Sequence, residues 1–326
     1  MSALAPVCVI VSESEDLHAF GVRRRLRDRG VSAEVICSDR LSGAPVLSWS
    51  PASRHGTLPN SDGDPVCFTA ANVIWWRRMS RSMPQDVTEE VQRQVVGNDC
   101  EVGLLGIAQT DFSGRWIDQP SAVRRGENKL VQLRLAHEIG LRHPATLVTQ
   151  DIDRVREFAA KHERVIAKTL RGSNTAPLLT VSVDVDALEA QSVSMCPTIF
   201  QEEIFGNQHL RVVVFGEVAH AFLVRSPHLD WRPYTDNAVE PVDLEPTIRE
   251  QLLALLAALD LHMGSFDLKI TDDGDVVFLE VNPQGQFLFL QSRTGVDLAA
   301  ACADFLTRVV QQPDLAVIKD YGRRAE

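Results

Sequence analysis

The residues with the most chemical promise lie in the last third of the chain, where Asp267 is followed by Glu280 and Asn282. Asp267 stands in the run Phe266-Asp267-Leu268-Lys269, and the other two in Phe278-Leu279-Glu280-Val281-Asn282-Pro283. Two strands are predicted here, over 265–270 and 276–281, joined by a turn at Asp272-Asp273-Gly274-Asp275. Residues two apart in a strand face the same way, so Glu280 and Asn282 share a face and the hairpin returns them to Asp267. Three hard oxygen donors on one sheet face suit Mg²⁺, with phosphate oxygens and water completing its shell. Both acids sit inside apolar runs, where an unpartnered carboxylate is costly. That cost favours a metal site over an ordinary polar hairpin.

Cations suited to phosphate stand upstream. Lys129 opens a predicted helix, and Lys168 ends a predicted strand ahead of the loop Arg171-Gly172-Ser173-Asn174-Thr175. The amides around Gly172 and Ser173 could approach a polyphosphate closely, as in an anion nest. The chain has neither a G-x-x-x-x-G-K-S/T loop nor a G-x-G-x-x-G after a strand. In Phe200-Gln201-Glu202-Glu203-Ile204 two readings stand side by side. One is a hinge whose backbone pairs with adenine and whose carboxylate meets ribose; the other is an exposed strand end. Arg211, Arg225 and Arg232 are expected in or beside successive strands facing one region, where their planar forks would pair with carboxylate or phosphate.

The elements that must position these groups follow from apolar periodicity. Strands are predicted at 7–11, 35–36 and 73–76, all short apolar runs, with a helix over 15–29 carrying Leu17, Phe20 and Leu26 on its apolar face. Residues 42–65, rich in Pro, Gly, Ser and Asp, read as turns or an irregular hairpin. A helix over 88–109 has Val91, Val95, Val102, Leu105 and Ile107 as its apolar positions. A second unit opens near Asn128 with a helix over 129–139 stopped by Gly140. Strands follow at 147–148 and 165–168, flanking a helix from Asp151 to His162. Further strands are predicted at 178–183, 198–203, 210–215 and 218–224, then a loop over 233–246 and helices over 248–261 and 295–310.

Composition bounds the function classes. The 326 residues are 44% hydrophobic and 24% charged, enough for a multi-unit globular α/β enzyme. A formal net charge of −11 argues against general nucleic-acid binding, which needs a basic surface. Arg23-Arg24-Arg25 reads as a solvated helix face, whereas Arg77-Arg78 stays open as a local anion site. Cysteines 8, 37, 67, 100, 196 and 302 are scattered without a C-x-x-C pair, against zinc or a disulfide framework and in keeping with a reducing cytosol. No apolar run approaches the ~20 residues of a membrane helix. A cytoplasmic protein without membrane attachment is expected.

The order Lys129, Lys168, small-residue loop, Glu202-Glu203-Ile204, Asp267 and Glu280-x-Asn282 resembles the ATP-grasp superfamily over about residues 125–310. Closer still, the chain resembles the graspetide (microviridin-type) peptide maturases. The runs that carry this are Trp75-Trp76-Arg77-Arg78, Glu127-Asn128-Lys129-Leu130, Leu147-Val148-Thr149, Asp230-Trp231-Arg232 and Asn282-Pro283-Gln284-Gly285-Gln286-Phe287. The resemblance implies an ATP-grasp fold with a Rossmann-like N-terminal domain at 1–125, a central subdomain at 126–200 and a C-terminal subdomain at 201–326. It implies ATP and Mg²⁺, with Lys129, Lys168, Gly172, Ser173, Glu202, Glu203, Ile204 and His209 at the nucleotide. Asp267, Glu280 and Asn282 would hold the metal, and Arg211, Arg225 and Arg232 the reacting groups. The chain departs from related ligases at His209, where an acid often precedes the Leu-Arg pair, which leaves the ribose contact to His209 or Glu203. The partner implied is a precursor peptide of leader plus core, with a homodimer left open. A ligase adding free amino acids to a carboxylate, glutamate-ligase-like, is the alternative activity.

Overall fold

The structure, a computed structural model, describes residues 7–84, 87–172, 178–234 and 236–312. These divide into two compact units, one drawn from Met1–Pro120 and Gln286–Lys319, the other from Ser121–Gly285.

The first unit begins with β1 (Cys8–Ser12), apolar for four residues and buried along its length. It leads into α1 (Leu17–Asp28), capped by Asp16, whose carboxylate accepts the His18 amide. The buried face of α1 is His18, Ala19, Val22 and Leu26; Leu17, expected inside, is exposed. After β2 (Ala33–Cys37), the segment expected as turns or an irregular hairpin holds a three-stranded antiparallel sheet of β3 (Ser48–Ser50), β4 (Ser53–Pro59) and β5 (Pro65–Cys67). Then come β6 (Val73–Trp76), α2 (Glu90–Asp111) and β7 (Arg115–Ile117). The main sheet runs β2-β1-β6-β7, every pair parallel, the Rossmann-like arrangement the resemblance implied.

In α2 the structure corrects the expected apolar face in part: Ile107 is buried and Leu105 packs half-buried as expected, but the three valines do not. Leu104, Ile107 and Ala108 pack against Leu58, Phe68 and Trp76, while Val91, Val95 and Val102 are exposed. At about 100° per residue the three valines fall on the side of the helix opposite Leu104. The sequence carries two apolar stripes, and packing uses only the shorter one.

The second unit contains two antiparallel sheets. Helices α3 (Pro120–Gly126) and α4 (Lys129–Ile139) come first; Asn128 caps α4 and Gly140 ends it in the left-handed region at φ 79°. Next are β8 (Thr146–Thr149), α5 (Ile152–Ala159), β9 (Val165–Lys168), β10 (Val181–Ser182), α6 (Ala190–Ser194) and β11 (Thr198–Glu202). Their sheet has the order β10-β9-β11-β8. The strand expected over 178–183 is only the two residues of β10, at the sheet edge.

The other sheet takes β12 (Gln208–Phe215), β13 (Val218–Arg225), β14 (Ala238–Val242), β15 (Met263–Ile270) and β16 (Val276–Asn282) in the order β14-β13-β12-β15-β16. Strand β14 lies inside the segment expected as loop, and its half-exposed edge position explains its weak apolar signal. Helix α7 (Pro246–Leu259) precedes β15 and buries Leu252, Leu253, Leu255, Leu256 and Leu259. The chain then returns to the first unit through α8 (Leu288–Thr294) and α9 (Leu298–Gln311). There α9 packs on α1, with ion pairs Arg25–Asp297 and Arg29–Asp304, each 2.6 Å.

The packed face of α2 can be tested by truncation. Leu104→Ala is expected to cost about 2–5 kcal/mol, as for a buried leucine, and Val102→Ala about 0.5 kcal/mol or less. Urea unfolding of both variants measures this; equal losses would mean that the valine stripe is also packed.

Candidate functional site

The two carboxylates fall opposite one another. Strand β15 pairs with β16 so that Asp267 faces Glu280 and Ser265 faces Asn282. Cross-strand partners share a sheet face, and so do residues two apart. Asp267, Glu280 and Asn282 therefore share one face. A bulge at Leu279 of β16 shifts the register between Asp267 and Leu268. On the other side β12 sets Arg211 opposite Asp267, and its guanidinium donates to Asp267 Oδ2 at 2.7 Å. Asp267 Oδ1 is buried without a hydrogen-bond partner.

Four cations surround these acids. Lys129, in the first turn of α4, donates to Glu280 Oε2. Arg232 lies 3.9 Å from Glu280 Oε1, and its fork grips Asp230 at 2.8 and 2.6 Å. The loop that presents Arg232 is fixed locally. Asn237 Nδ2 donates to the Trp231 and Tyr234 carbonyls, and His228 stacks on Tyr234 with ring centres 3.5 Å apart. Lys168, the last residue of β9, has no ion pair among the described residues.

The electrostatics follow from this enclosure. Burial raises the Asp267 carboxyl above its ordinary value, and the Glu280 charge adds to that, against the pull of Arg211. Burial would also raise Glu280, but Lys129, Lys168 and Arg232 outweigh it and hold the group low. Lys168 is pushed down by burial and by its cationic neighbours, with Glu280 pulling the other way. Burial also lowers Lys269, which faces His209 across β12 and β15. His209 itself is driven down to about 4 by burial and by Lys269. Its imidazole is neutral at pH 7.

Lys129, Lys168, His209, Asp230, Arg232, Asp267, Lys269 and Glu280 line a cleft of about 270 Å³, with Arg211 behind Asp267 and outside the lining. Of the expected nucleotide residues, Lys129, Lys168, Gly172, Glu202, Ile204 and His209 line it, with Arg232, Asp267 and Glu280. Ser173 lies outside the described residues. Gly172 has φ +88°, a conformation open to glycine. Glu202 is already engaged, accepting from the Ala145 amide at 2.9 Å and lying 3.5 Å from His162. Glu203 turns to Arg164 at 3.3 Å and does not line the cleft. Asn282 is exposed and does not line the cleft; its Oδ1 accepts the Gln284 amide at 2.9 Å and keeps a second lone pair. The turn after it presses close: a Cβ on Gly285 would meet Ser265 Cβ at 2.3 Å.

Arg225 is not brought to the cleft. It pairs with Gln208 in the ladder, one residue out of phase with Arg211, so it occupies the opposite sheet face. There it bonds Glu240 at 2.9 Å, with both side chains about half exposed. The expectation that all three arginines face one region holds for Arg211 and Arg232 and fails for Arg225. The two-residue turn Gly216-Glu217 sets that phase, and strand parity counted from it would have given the answer.

Sequence reasoning missed Asp230, Lys269 and the apolar wall. Leu178, Leu179, Leu229, Trp231, Leu268 and Leu279 line the cleft with Ile166, a surface suited to a flat ring. What the arrangement can do is bind a polyanion and one hard cation beside an apolar slot. Asp267 Oδ1, buried and unsatisfied beside Glu280, fits a divalent cation by donor type and by charge.

No protein-family model matches the chain, and no curated protein matches it. Solved structures do. The macrocyclase MdnC of Microcystis aeruginosa MRC, bound with precursor peptide MdnA, is 26% identical, with TM-score 0.83 over 94% of this chain and 100% of that one. The macrocyclase MdnB of the same organism is 27% identical, with TM-score 0.76 over 92% and 99%. An ATP-grasp ligase associated with ribosomal peptides in Chryseobacterium gregarium, in complex with ADP and a leader and core peptide, shares the fold at 23% identity and TM-score 0.77, over 92% and 96%.

The neutral His209 makes a stability prediction. Its folded value, about 4, lies below the ordinary 6.5. The unfolded chain therefore takes up a proton that the folded chain refuses, so this stability is present above pH 6.5 and lost as pH falls toward 4. His18 and His220 are lowered by burial in the same sense. The urea midpoint is expected to drop between pH 7 and pH 5, less steeply in His209→Gln. Parallel pH profiles for the two proteins would show that His209 titrates normally.

Proposed function

We propose that this chain, an ATP-grasp ligase of the graspetide macrocyclase type, joins side-chain carboxylates of a ribosomally made precursor peptide to its hydroxyl or amine side chains. The observation that carries the reading is the facing pair Asp267 and Glu280, ringed by Lys129, Arg211 and Arg232 with Lys168 close by, in a cleft with an apolar wall. The neighbours of this fold carry precursor peptides, ADP, AMPPNP and Mg.

In this reading residues 126–200 supply Lys129, Lys168 and the Gly172 loop, and residues 201–326 supply the carboxylates and arginines. ATP lies with its base against the apolar wall and its phosphates toward the two lysines. A peptide carboxylate oxygen attacks the γ-phosphorus and ADP leaves, giving an acylphosphate. A Ser or Thr hydroxyl, or a Lys amine, then attacks the acyl carbon; it loses its proton and phosphate departs, leaving an ester or amide. Arg211 and Arg232 orient the anionic groups and stabilise charge on the transferring phosphoryl group. Mg²⁺ held by Asp267, Glu280 and Asn282 would supply charge neutralisation at the phosphates. Arg225 has no part in this chemistry.

The peptide needs a second hold. Strand β10 is a sheet edge, and Val181 within it and Leu178 and Leu179 just before it are exposed apolar residues. An extended leader could add to that edge by backbone pairing, its contacts raising the local concentration of the core side chains. No helix among the described residues is long and apolar enough to cross a membrane.

Glu280→Gln and Asn282→Ala are each expected to abolish turnover while leaving the fold intact, by several kcal/mol of barrier. Arg232→Lys should lose most activity through loss of the fork, and Arg225→Lys little. The assay is ADP release with mass spectrometry of candidate precursor peptides, each new link losing one water. Wild-type rates in Glu280→Gln would remove the metal assignment.

Supplying the core segment with and without its upstream leader, at matched sub-saturating concentration, tests the partner. Slower modification of the isolated core is expected. Equal rates would argue against leader recognition, and ADP release driven by a free amino acid alone would favour the glutamate-ligase-like activity.

A further inference from the structure

Strand β16 carries two of the residues assigned to the metal, yet it is the edge of its sheet, paired only with β15. An edge strand leaves alternate backbone groups without a ladder partner. Between Glu280 and Asn282 those groups belong to Val281, which is 3% exposed and out of reach of water. They are not left unsatisfied. The side-chain amide of Gln132, on α4, accepts the Val281 N–H at 3.0 Å and donates to the Val281 carbonyl at 2.8 Å. One side chain thus imitates the backbone of a missing sixth strand, at a single residue. Its Nε2 also donates to the Gly126 carbonyl at the end of α3, at 2.6 Å.

The position of this clamp is specific. Gln132 lies on the same helix as Lys129, three residues on, so the two side chains project from one face. Lys129 reaches Glu280, and Gln132 holds the peptide unit next to it. The packing leaves no slack: a Cβ on Gly126 would sit 2.8 Å from Leu261 Cδ1 and 3.0 Å from Pro283 Cγ. Gln132 itself is 2% exposed and has both amide functions occupied.

We propose that Gln132 is a positioning residue for the metal, fixing β16 against α4 so that Glu280 and Asn282 are held at the separation from Lys129 that a nucleotide-bound divalent cation requires. This rests on the assignment of Asp267, Glu280 and Asn282 to Mg²⁺. Gln132 touches neither nucleotide nor metal. It acts through the backbone between the two ligands, much as outer partners orient ligands at other metal sites. A residue that served stability alone would change the melting temperature and leave the metal dependence of nucleotide binding untouched.

The test measures binding of a fluorescent ADP analogue, N-methylanthraniloyl-ADP, with Mg²⁺ and with EDTA; the ratio of affinities is the gain due to metal. In Gln132→Leu and Gln132→Glu this gain is expected to fall about tenfold or more, while affinity in EDTA changes little. The loss should be smaller for Glu, which keeps an acceptor for the Val281 amide. A wild-type ratio in either folded variant overturns the proposal, whatever happens to its melting temperature. If Gln132→Leu does not fold, the ratio in Gln132→Glu decides. Hydrogen exchange of wild-type protein adds a check free of mutation: a Val281 amide exchanging as fast as an open loop would remove the clamp. Glu280→Gln, run alongside, separates the metal assignment from the clamp. An unchanged ratio there would mean that the metal assignment has failed, and a reduced one with wild-type behaviour at Gln132 would mean that only the clamp has.

Discussion

Two carboxylates set face to face across antiparallel strands are the constraint around which the second unit is arranged. Like charges in that position repel, and partial burial in the cleft weakens the screening by water. The chain answers from four separate elements. Lys129 comes from the start of α4, Arg211 from β12, Arg232 from the loop before β14, and Lys168 from the end of β9. Their convergence holds Glu280 low despite its burial, and at Asp267 the arginines pull against the rise that burial and the Glu280 charge impose. Without those cations the pairing of β15 with β16 would carry a heavy electrostatic cost, so the charge pattern and the sheet register depend on one another.

The cations are themselves restrained. The fork of Arg232 is closed on Asp230, whose carboxyl is held low by that contact despite burial. The guanidinium therefore arrives in the cleft in one orientation, with little side-chain freedom left to lose on binding. Lys168 is the contrasting case. It is partly buried, lowered by that burial and by like charges, a state in which an incoming polyphosphate gains most from it. A preorganised fork and an ammonium without an ion pair among the described residues suit a site that must take up several negative charges.

The first unit treats its buried charges differently. Arg77, kept open from the sequence as an anion site, is 2% exposed and lies 3.4 Å from Asp16, at the carboxyl ends of β1 and β6. His18 bonds the same Asp16 and accepts the Phe287 and Leu288 amides at 2.9 and 3.1 Å. This is the place in a parallel sheet where open α/β folds often receive ligands. Here the chain fills it from within, and Arg77 has its anion already.

What the sequence determined by itself was whatever depends on local period and chain order. The strand parity of Glu280 and Asn282, the hairpin that returns them toward Asp267, the Asn128 cap with Lys129 behind it, and the order of the lysines and acids along the chain all belong to this class. So does the ATP-grasp resemblance that rests on them. Tertiary structure alone decided which of two apolar stripes on α2 packs, because burial depends on what lies opposite a helix and not on the helix. It decided that Asp230 holds Arg232 and that Arg211 meets Asp267, since pairing between strands far apart in sequence has no local signature. It also decided that Gln132, an ordinary residue in an amphipathic helix, finishes the edge of a sheet whose last strand comes more than a hundred residues later. Hydrogen bonds of that kind are set by proximity in space, and a periodic pattern records only which way a side chain points.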